Sequence, residues 1–330
     1  MPLHGVSLFL ASLKLLKKIY HEFPFELIDG HYIYPDGLAA VLLGKAMKKP
    51  VVLSARGSDI NQFGGFKSIK PMIRYSLNHS DRAISVCDAL KREMVDLGSP
   101  ANKISVIPNG IDIKGFYPED KKKARRKLSL PDDKNIILSV GSLIPRKGFH
   151  VILDAMPEIL QNQEDVHLYI VGDGSYRSFL NDKIRRLNLR KQVTMVGERP
   201  NSELKTWYSA ADIFCLASSR EGWANVIMES LACGTPVVAT NVWGAPEILT
   251  SHDVGILVER NSGSIADGLI EALKRKWDRM RIRDHVAARS WDVVASEVEA
   301  VFASCLQAKN DGNMDTDHLN SQPQAYQING

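Results

Sequence analysis

The chain has 330 residues, more than one hydrophobic core normally supports, so its length predicts two domains. Its 44% hydrophobic and 24% charged residues are ordinary for a globular protein, and its four widely spaced cysteines argue against a zinc site or a disulfide framework. The net charge of +4 is too small to indicate nucleic-acid binding. It suits phosphorylated small molecules or an anionic membrane surface, and equally an ordinary solvated surface.

The N-terminal part of the chain alternates helices with short strands. Residues 1–20 have the pattern of an amphipathic helix, which packs on the domain or, in the sharper interpretation, contacts a membrane surface. Strand patterns follow in FELIDGH, PVVLSA, DRAISV and KISVIPNG, with helical patterns between them. No strand pattern precedes Phe25, so we expect the first strand of this half to be missing. We assign residues 1–120 to this first domain.

A charged segment without strand character, residues 121–134, is the predicted linker between the domains. The alternation resumes in residues 135–285, with strand patterns in NIILSVG, VHLYIVG, KQVTMVG, DIFCLAS, PVVAT and GILV. The polar end, residues 308–330, lacks apolar periodicity and is predicted to be disordered.

The strands are apolar on both faces and each is followed by a helix, which predicts parallel sheets covered on both sides. Two such series in one chain predict an α/β protein with two Rossmann-like halves. Ligands of such sheets bind beyond the carboxyl ends of the strands. The loops that follow the strands are therefore the places to look for functional residues.

Three loops of the second half carry glycines directly after a strand. In GSLIPRKG, Gly141 permits a tight turn, and Arg146 and Lys147 supply two cations that suit a phosphate. In GDG and in GERP, which begins with Gly197 and Glu198, the glycines would let a flat ring lie against bare backbone. Each glycine alone is weak evidence, because glycine after a strand is common in α/β proteins.

The segment SREGWANVIMES combines two glutamates with a helix start. The first N–H groups of that helix, predicted to be unpaired, belong to Asn225, Val226 and Ile227. A helix start with free donors is a ready site for an anion. Glu221 precedes the helix and is placed to accept hydrogen bonds from sugar hydroxyls. Glu229 lies inside the helix and needs a cation or vicinal hydroxyls, such as those of a ribose, as its partner.

An alternative interpretation of the glutamates involves no ligand. Glu221 would then be a solvated loop residue and Glu229 an internal salt-bridge partner. The coincidence of a glycine turn, an Arg–Lys pair and a helix-start anion site, all beyond strand ends, favours a ligand that contains both phosphate and sugar.

These motifs resemble a known family. EGWANVIMESLACGTPVVAT is similar to the E-x7-E segment of retaining GT-B glycosyltransferases of family 4, LSVGSLIPRKG to their donor loop, and VIPNGID to the last strand of their acceptor half. The resemblance covers most of the chain. It implies two Rossmann-like domains whose parallel sheets face a cleft, with a shortened N-terminal half. It also implies that residues 286–307 form a C-terminal helix that packs back on the first domain.

The resemblance implies roles for the residues of the second half. Glu221 would contact the transferred sugar and Glu229 the ribose. Lys147, helped by Arg146, would neutralise the diphosphate leaving group, which the backbone of residues 225–227 would cradle. Ser142 stands where the donor loop of the family often has arginine, which leaves its role open.

In the first half, ARGSDI resembles the His-Gly-x-Asp loop that faces the donor sugar in the family. Arg56 stands at the histidine position of that loop and Asp59 at the aspartate position. IDGHYIYPDG resembles a loop near the acceptor and contains His31. On this sequence alone, a packed structural histidine is an equal alternative for His31.

The implied activity is that of a hexosyltransferase-type enzyme that retains anomeric configuration. Its partners would be a nucleotide-sugar donor and a glycan or lipid-linked acceptor, as in polysaccharide biosynthesis, and not nucleic acid. The single DxD tripeptide lies in the polar tail, so we expect neither a metal nor another cofactor. We expect a cytoplasmic protein, with peripheral contact at the inner face of the membrane as an extension of that expectation. The alternatives are a non-catalytic or weakened nucleotide-sugar-binding protein, and a GT-B-like epimerase or phosphorylase.

Overall fold

The structure is a computed structural model that describes residues 3–320, with side chains described as far as residue 308. The chain forms two compact units. Unit 1 consists of the described parts of Met1–Val86, Leu90–Ile107 and Ala295–Gly330, and unit 2 of Cys87–Ala89 and Pro108–Val294. Each unit contains one parallel β-sheet, which confirms the predicted α/β class with two parallel sheets.

Unit 1 is built on a four-stranded sheet of order β1-β2-β3-β4. The elements up to its last strand are α1 (His4–Glu22), β1 (Ile28–His31), α2 (Asp36–Met47), β2 (Val51–Ala55), α3 (Ser58–Asn61), α4 (Lys70–His79), β3 (Arg82–Ser85), α5 (Asp88–Asp96) and β4 (Ile104–Val106). All residues of β2 are buried, as expected for a parallel strand covered on both faces. In the register of β1 and β2, His31 lies opposite Ser54, so the loops after the two strands leave the sheet side by side.

Helix α1 precedes the first strand in the described part of unit 1. It packs on α2 through Gly5, where an added Cβ would lie 2.8 Å from Leu38 Cδ2. The helix also keeps apolar side chains on its surface, since Leu10 and Leu15 are 60–65% exposed. No helix among residues 3–320 combines the length and apolar character needed to cross a bilayer.

Unit 2 is built on a six-stranded sheet of order β10-β9-β8-β5-β6-β7, in which all pairs are parallel. Its elements are α6 (Lys121–Lys127), β5 (Asn135–Val140), α7 (Phe149–Asn162), β6 (Val166–Val171), α8 (Arg177–Arg186), β7 (Val193–Gly197), α9 (Asn201–Ala210), β8 (Ile213–Leu216), α10 (Asn225–Ala232), β9 (Val237–Thr240), α11 (Ala245–Ile248), β10 (Gly255–Val258), α12 (Ser262–Lys274) and α13 (Arg279–Ala287). The strand order reverses between β5 and β8. The loops after these two strands therefore flank the crevice in which such sheets bind ligands.

Alternate residues of β5 face the two hydrophobic cores of unit 2. Ile136 and Leu138 belong to the core that contains Tyr208 and α10, whereas Ile137 belongs to the core formed with α7 and α12. This two-sided burial accounts for the unbroken apolar run that predicted the strand.

Residues 121–134, for which we predicted a linker, contain helix α6 and lie in unit 2. The Asp120 side chain caps the helix by accepting from the Lys123 N–H at 2.8 Å. Arg125 is buried and donates to Asp212 Oδ2 at 2.6 Å and to the Ala210 carbonyl at 3.0 Å. These contacts bind the charged segment into the unit.

The last helix, α14 (Trp291–Asn320), belongs to unit 1 from Ala295 onward, where Val301 and Cys305 are buried. Its backbone continues as a helix through residues 308–320, within the polar end for which we predicted disorder. Once a helix is nucleated, each added residue gains a hydrogen bond without a new nucleation step, so the helix extends into polar sequence. The rest of the predicted disordered tail, residues 321–330, lies outside the described residues.

Candidate active site

Gly141 and Gly172 directly follow β5 and β6, and Gly197 is the last residue of β7; all three have positive φ. Gly172 packs so closely on the neighbouring loop that an added Cβ would lie 2.0 Å from the Gly141 carbonyl oxygen. Its N–H donates to the Gly197 carbonyl oxygen at 2.9 Å. The three strand ends therefore present a surface of bare backbone.

A cavity of about 190 Å³ opens at these strand ends. The residues that line it are Val140, Gly141, Ser142, Val171, Gly172, Asp173, Glu198, Arg199 and Leu204. Three predicted donor-site residues, Gly141, Ser142 and Glu198, are thus brought together. Sequence reasoning missed Asp173, although the GDG motif marked its position.

The Arg146–Lys147 pair is held against the end of β8 by Gly148. Gly148 has φ +74°, and an added Cβ would lie 1.9 Å from the Ala217 carbonyl oxygen, so the position requires glycine. The Ser219 N–H donates to the Arg146 carbonyl oxygen at 2.9 Å and ties the two loops together.

Glu221 is buried, with 7% of its surface exposed, and both carboxylate oxygens are paired. Lys147 Nζ lies 2.7 Å from Oε1 and Arg146 Nη1 lies 3.3 Å from Oε2. The Ser218 hydroxyl donates to Oε1 at 2.6 Å. The burial excludes the solvated-loop alternative. Two cations around one carboxylate leave this cluster with an excess of positive charge.

Glu229 is bound by a hydroxyl and not by a cation. Tyr208 Oη donates to Glu229 Oε2 at 2.8 Å, and in the described part of the chain Glu229 forms no ion pair. The salt-bridge alternative is therefore wrong. Burial raises the pKa of Glu229, while the hydrogen bond from Tyr208 opposes that rise. Sequence reasoning missed Tyr208, which is 21 residues away.

The start of α10 has no side-chain cap. Two of the three N–H groups predicted to be unpaired are engaged, because Asn225 N–H donates to the Trp223 carbonyl at 3.1 Å and Ile227 N–H to the Ala224 carbonyl at 2.9 Å. The chain tightens as it enters the helix, which produces these short-range bonds. Among the described residues Val226 N–H has no such partner. The expected anion cradle is thus reduced to one backbone donor and the helix dipole.

The predicted acceptor-side residues lie together in unit 1, at the ends of β1 and β2. Arg56 Nη2 donates to His31 Nδ1 at 2.7 Å, and His31 Nε2 lies 2.9 Å from Asp29 Oδ2. Because a guanidinium can only donate, His31 Nδ1 is the acceptor of this hydrogen bond. Its side chain is half exposed, which excludes a packed structural histidine.

Asp59 holds the backbone of the loop that contains Arg56. It is fully buried and accepts from the N–H groups of Ile33, Arg56 and Gly57 at 2.9, 3.1 and 2.8 Å. Burial raises its pKa, and the backbone hydrogen bonds oppose the rise. A carboxylate enclosed in this way cannot touch an acceptor, so Asp59 acts through the position of Arg56.

Two family models match the two halves of the chain. The family model described as "Glycosyl transferases group 1" matches residues 120–289, and that described as "Glycosyltransferase Family 4" matches residues 2–114. The second match spans the half that we expected to be incomplete. That half therefore carries the pattern of the family, and it folds into a continuous four-stranded sheet.

Two relatives and one solved structure extend the comparison. An uncharacterized glycosyltransferase of Methanocaldococcus jannaschii is 33% identical over 79% of this chain and 70% of its own length. The GDP-mannose-dependent monoacylated alpha-(1-6)-phosphatidylinositol monomannoside mannosyltransferase of Corynebacterium glutamicum is 34% identical over 82% and 74%. The Anabaena HepE structure in complex with UDP superposes with a TM-score of 0.77 at 22% identity, over 88% of this chain and 82% of HepE, and shows the shared fold. The chain belongs to the group 1 and family 4 glycosyltransferases and is an enzyme of that class.

Proposed function

We propose that this chain moves a sugar from a nucleotide-diphosphate sugar to an acceptor hydroxyl, with retention of anomeric configuration and without a metal ion. The observation that carries the proposal is the buried cluster of Lys147, Arg146 and Glu221. Its excess positive charge lies next to the glycine-lined cavity, since an added Cβ on Gly141 would lie 3.8 Å from the Lys147 side chain. Such a cluster suits a diphosphate attached to a flat base.

The donor would lie along the carboxyl ends of the strands of unit 2. The base would stack on the backbone of the glycine loops, and Glu229 would accept from the ribose hydroxyls. The names of the similar proteins support a nucleotide-sugar donor, since one depends on GDP-mannose and the other was solved with UDP. Because these bases differ, the base used by this chain has to be measured.

The proposed reaction is a front-face substitution at the anomeric carbon. The bond from that carbon to the diphosphate oxygen breaks, the bond to the acceptor oxygen forms on the same face, and the acceptor proton passes to the leaving oxygen. Lys147, Arg146 and the α10 dipole would stabilise the charge on the departing diphosphate. Glu221 would accept hydrogen bonds from the transferred sugar.

The acceptor would carry a sugar or lipid-linked hydroxyl. His31 and Arg56 in unit 1 are the proposed acceptor-side groups, with the Arg56 guanidinium held by its hydrogen bond to His31 Nδ1. The name of the Corynebacterium relative, which includes a phosphatidylinositol mannoside, supports an acceptor of the lipid-linked class.

Peripheral membrane contact is proposed through α1. Its exposed leucines accompany Lys14, Lys17 and Lys18, a combination that favours an anionic lipid surface. Co-sedimentation with phosphatidylglycerol vesicles should therefore exceed that with phosphatidylcholine vesicles, and a Leu10→Gln, Leu15→Gln variant, which keeps the net charge, should lose most of its binding to both. Vesicle binding of that variant equal to that of the wild type would refute the contact.

The activity is tested by nucleotide release from UDP-, GDP- and ADP-sugars in the presence of sugar and lipid-linked acceptors, with and without EDTA. We expect release with one base class, unaffected by EDTA, and a product whose anomeric proton coupling matches that of the donor. Nucleotide binding without release under any acceptor would favour a non-catalytic protein. Conversion of the donor to another nucleotide sugar without an acceptor would favour an epimerase.

A further inference from the structure

Tyr208 is a fully buried side chain of the core beneath the proposed donor site. Its ring packs edge-on against Phe116 and Phe214, with centroid distances of 6.2 and 5.5 Å. Its carbonyl oxygen accepts from Thr235 Oγ1 at 2.7 Å. These contacts fix the ring, so the position of its hydroxyl is fixed as well.

That hydroxyl donates to Glu229 Oε2 at 2.8 Å. Burial, with the nearby Glu229 charge, raises the pKa of Tyr208 well above its ordinary value, so the hydroxyl stays a donor at any physiological pH. Within the described residues the other oxygen, Glu229 Oε1, accepts no hydrogen bond. One oxygen of a largely buried carboxylate is thus anchored and the other is left for a ligand.

We infer that Tyr208 is a positioning residue that anchors Glu229 so that its second oxygen accepts from the ribose hydroxyls of the donor. The inference rests on the proposed function, which supplies the nucleotide. A ribose offers two neighbouring hydroxyl donors, and a charged acceptor forms the stronger hydrogen bonds to them. Tyr208 itself touches no part of the donor in this arrangement.

The pH dependence of binding follows from the groups that face Glu229. Tyr208 faces it from α9, and Cys233, which follows α10, is neutral because burial raises its pKa to about 12. Binding that needs ionised Glu229 is present above the pKa of that group and is lost as the pH falls through it. Without the Tyr208 hydroxyl the pKa of Glu229 rises further, so the loss begins at a higher pH.

The experiment measures nucleotide affinity by calorimetry. UDP, GDP and ADP identify the preferred diphosphate of the wild type, and its 2′,3′-dideoxy analogue is then compared with it. Tyr208→Phe should weaken the ribonucleotide about three- to tenfold and leave the dideoxy analogue unchanged, with the difference widening as the pH falls. The Glu229→Gln variant should bind the ribonucleotide weakly and without that pH dependence.

Tyr169→Phe is the matched control, because it deletes a hydroxyl from a buried ring of the same core that does not contact Glu229. It should bind both nucleotides as the wild type does. Unchanged ribonucleotide affinity in Tyr208→Phe overturns the inference and leaves the proposed function standing. Equal weakening of both nucleotides also overturns it, because that result indicates a structural defect. A wild type that binds no nucleotide overturns the proposed function and the inference together.

Discussion

Replacing Lys147 with methionine tests the charge cluster most directly. The change removes the cation nearest to Glu221 and keeps a side chain of similar length. Lys147 Nζ lies 2.7 Å from Glu221 Oε1, and only 15% and 9% of the two side chains are exposed. After the change, Glu221 retains Arg146 at 3.3 Å and the Ser218 hydroxyl at 2.6 Å.

The expected loss of stability follows from this geometry. Removing one partner from a buried ion pair costs about 3–5 kcal/mol when the other charge is left alone. Because Glu221 keeps two partners, we expect the free energy of unfolding to fall by about 1–2 kcal/mol. The expected loss of activity is larger, since removing one group that stabilises developing charge lowers kcat by about 100- to 1000-fold.

The assay pairs turnover with stability. Nucleotide release gives kcat and KM, calorimetry gives the affinity for the free nucleotide, and urea unfolding gives the stability. Lys183→Met is the matched control, because Lys183 forms a comparable pair with Asp154 at 2.6 Å on helices away from the cavity. The control should keep turnover within about twofold of the wild type.

Combining Lys147→Met with Glu221→Gln separates the loss of stability from the loss of activity. The double variant has no unpaired buried charge, so it should recover most of the lost stability and remain inactive. Wild-type turnover and nucleotide affinity in Lys147→Met would refute the assignment of Lys147 to the diphosphate. Recovery of turnover together with stability in the double variant would show that Lys147 only stabilises the fold.

Two further predictions concern the supports of the sites. Gly148→Ala should lower the free energy of unfolding by at least about 2 kcal/mol and abolish turnover, because the added Cβ would meet the Ala217 carbonyl. The control is Gly65→Ala, whose added Cβ has open space around it. It should leave the free energy of unfolding unchanged in the same assay. Asp59→Asn should cost about 1–3 kcal/mol, since its amide cannot accept from Ile33 N–H. Burial raises the pKa of Asp59, so wild-type stability should decline as the pH rises from the ordinary value of 3.8 through the raised value, and the slope should be shallower in the variant. Urea titrations at several pH values give this slope. If the free energy of unfolding changed equally with pH in the wild type and in Asp59→Asn, the raised pKa of Asp59 would be contradicted.

The sequence predicted the central strands most directly, because β2, β5, β8 and β9 are buried on both faces and such burial leaves an unbroken apolar run. The same reasoning did not predict helix α6 within residues 121–134. Its charges read as an exposed linker, yet Arg125 is buried because Asp212, 87 residues away, neutralises it. A local pattern cannot show a partner at that distance.

The candidate site was predictable where function depends on residue type after a strand. Glycines, Arg146, Lys147 and both glutamates were identified in this way. The partners of the glutamates were not, because Ser218 and Tyr208 become informative only when their hydroxyls are seen at hydrogen-bond distance. The engagement of the Asn225 and Ile227 N–H groups depends on how the loop enters α10, which residue types do not specify.

The two glutamates of one segment have different kinds of partner, and that difference bears on the proposed chemistry. Glu221 is held by cations, which a diphosphate would attract in turn, so its arrival would loosen Glu221 from Lys147 and free an oxygen for the sugar hydroxyls. Glu229 is held by a neutral hydroxyl, which a diphosphate does not compete for. Under the proposed function, therefore, Glu221 exchanges partners when the donor binds, whereas Glu229 keeps its anchor throughout.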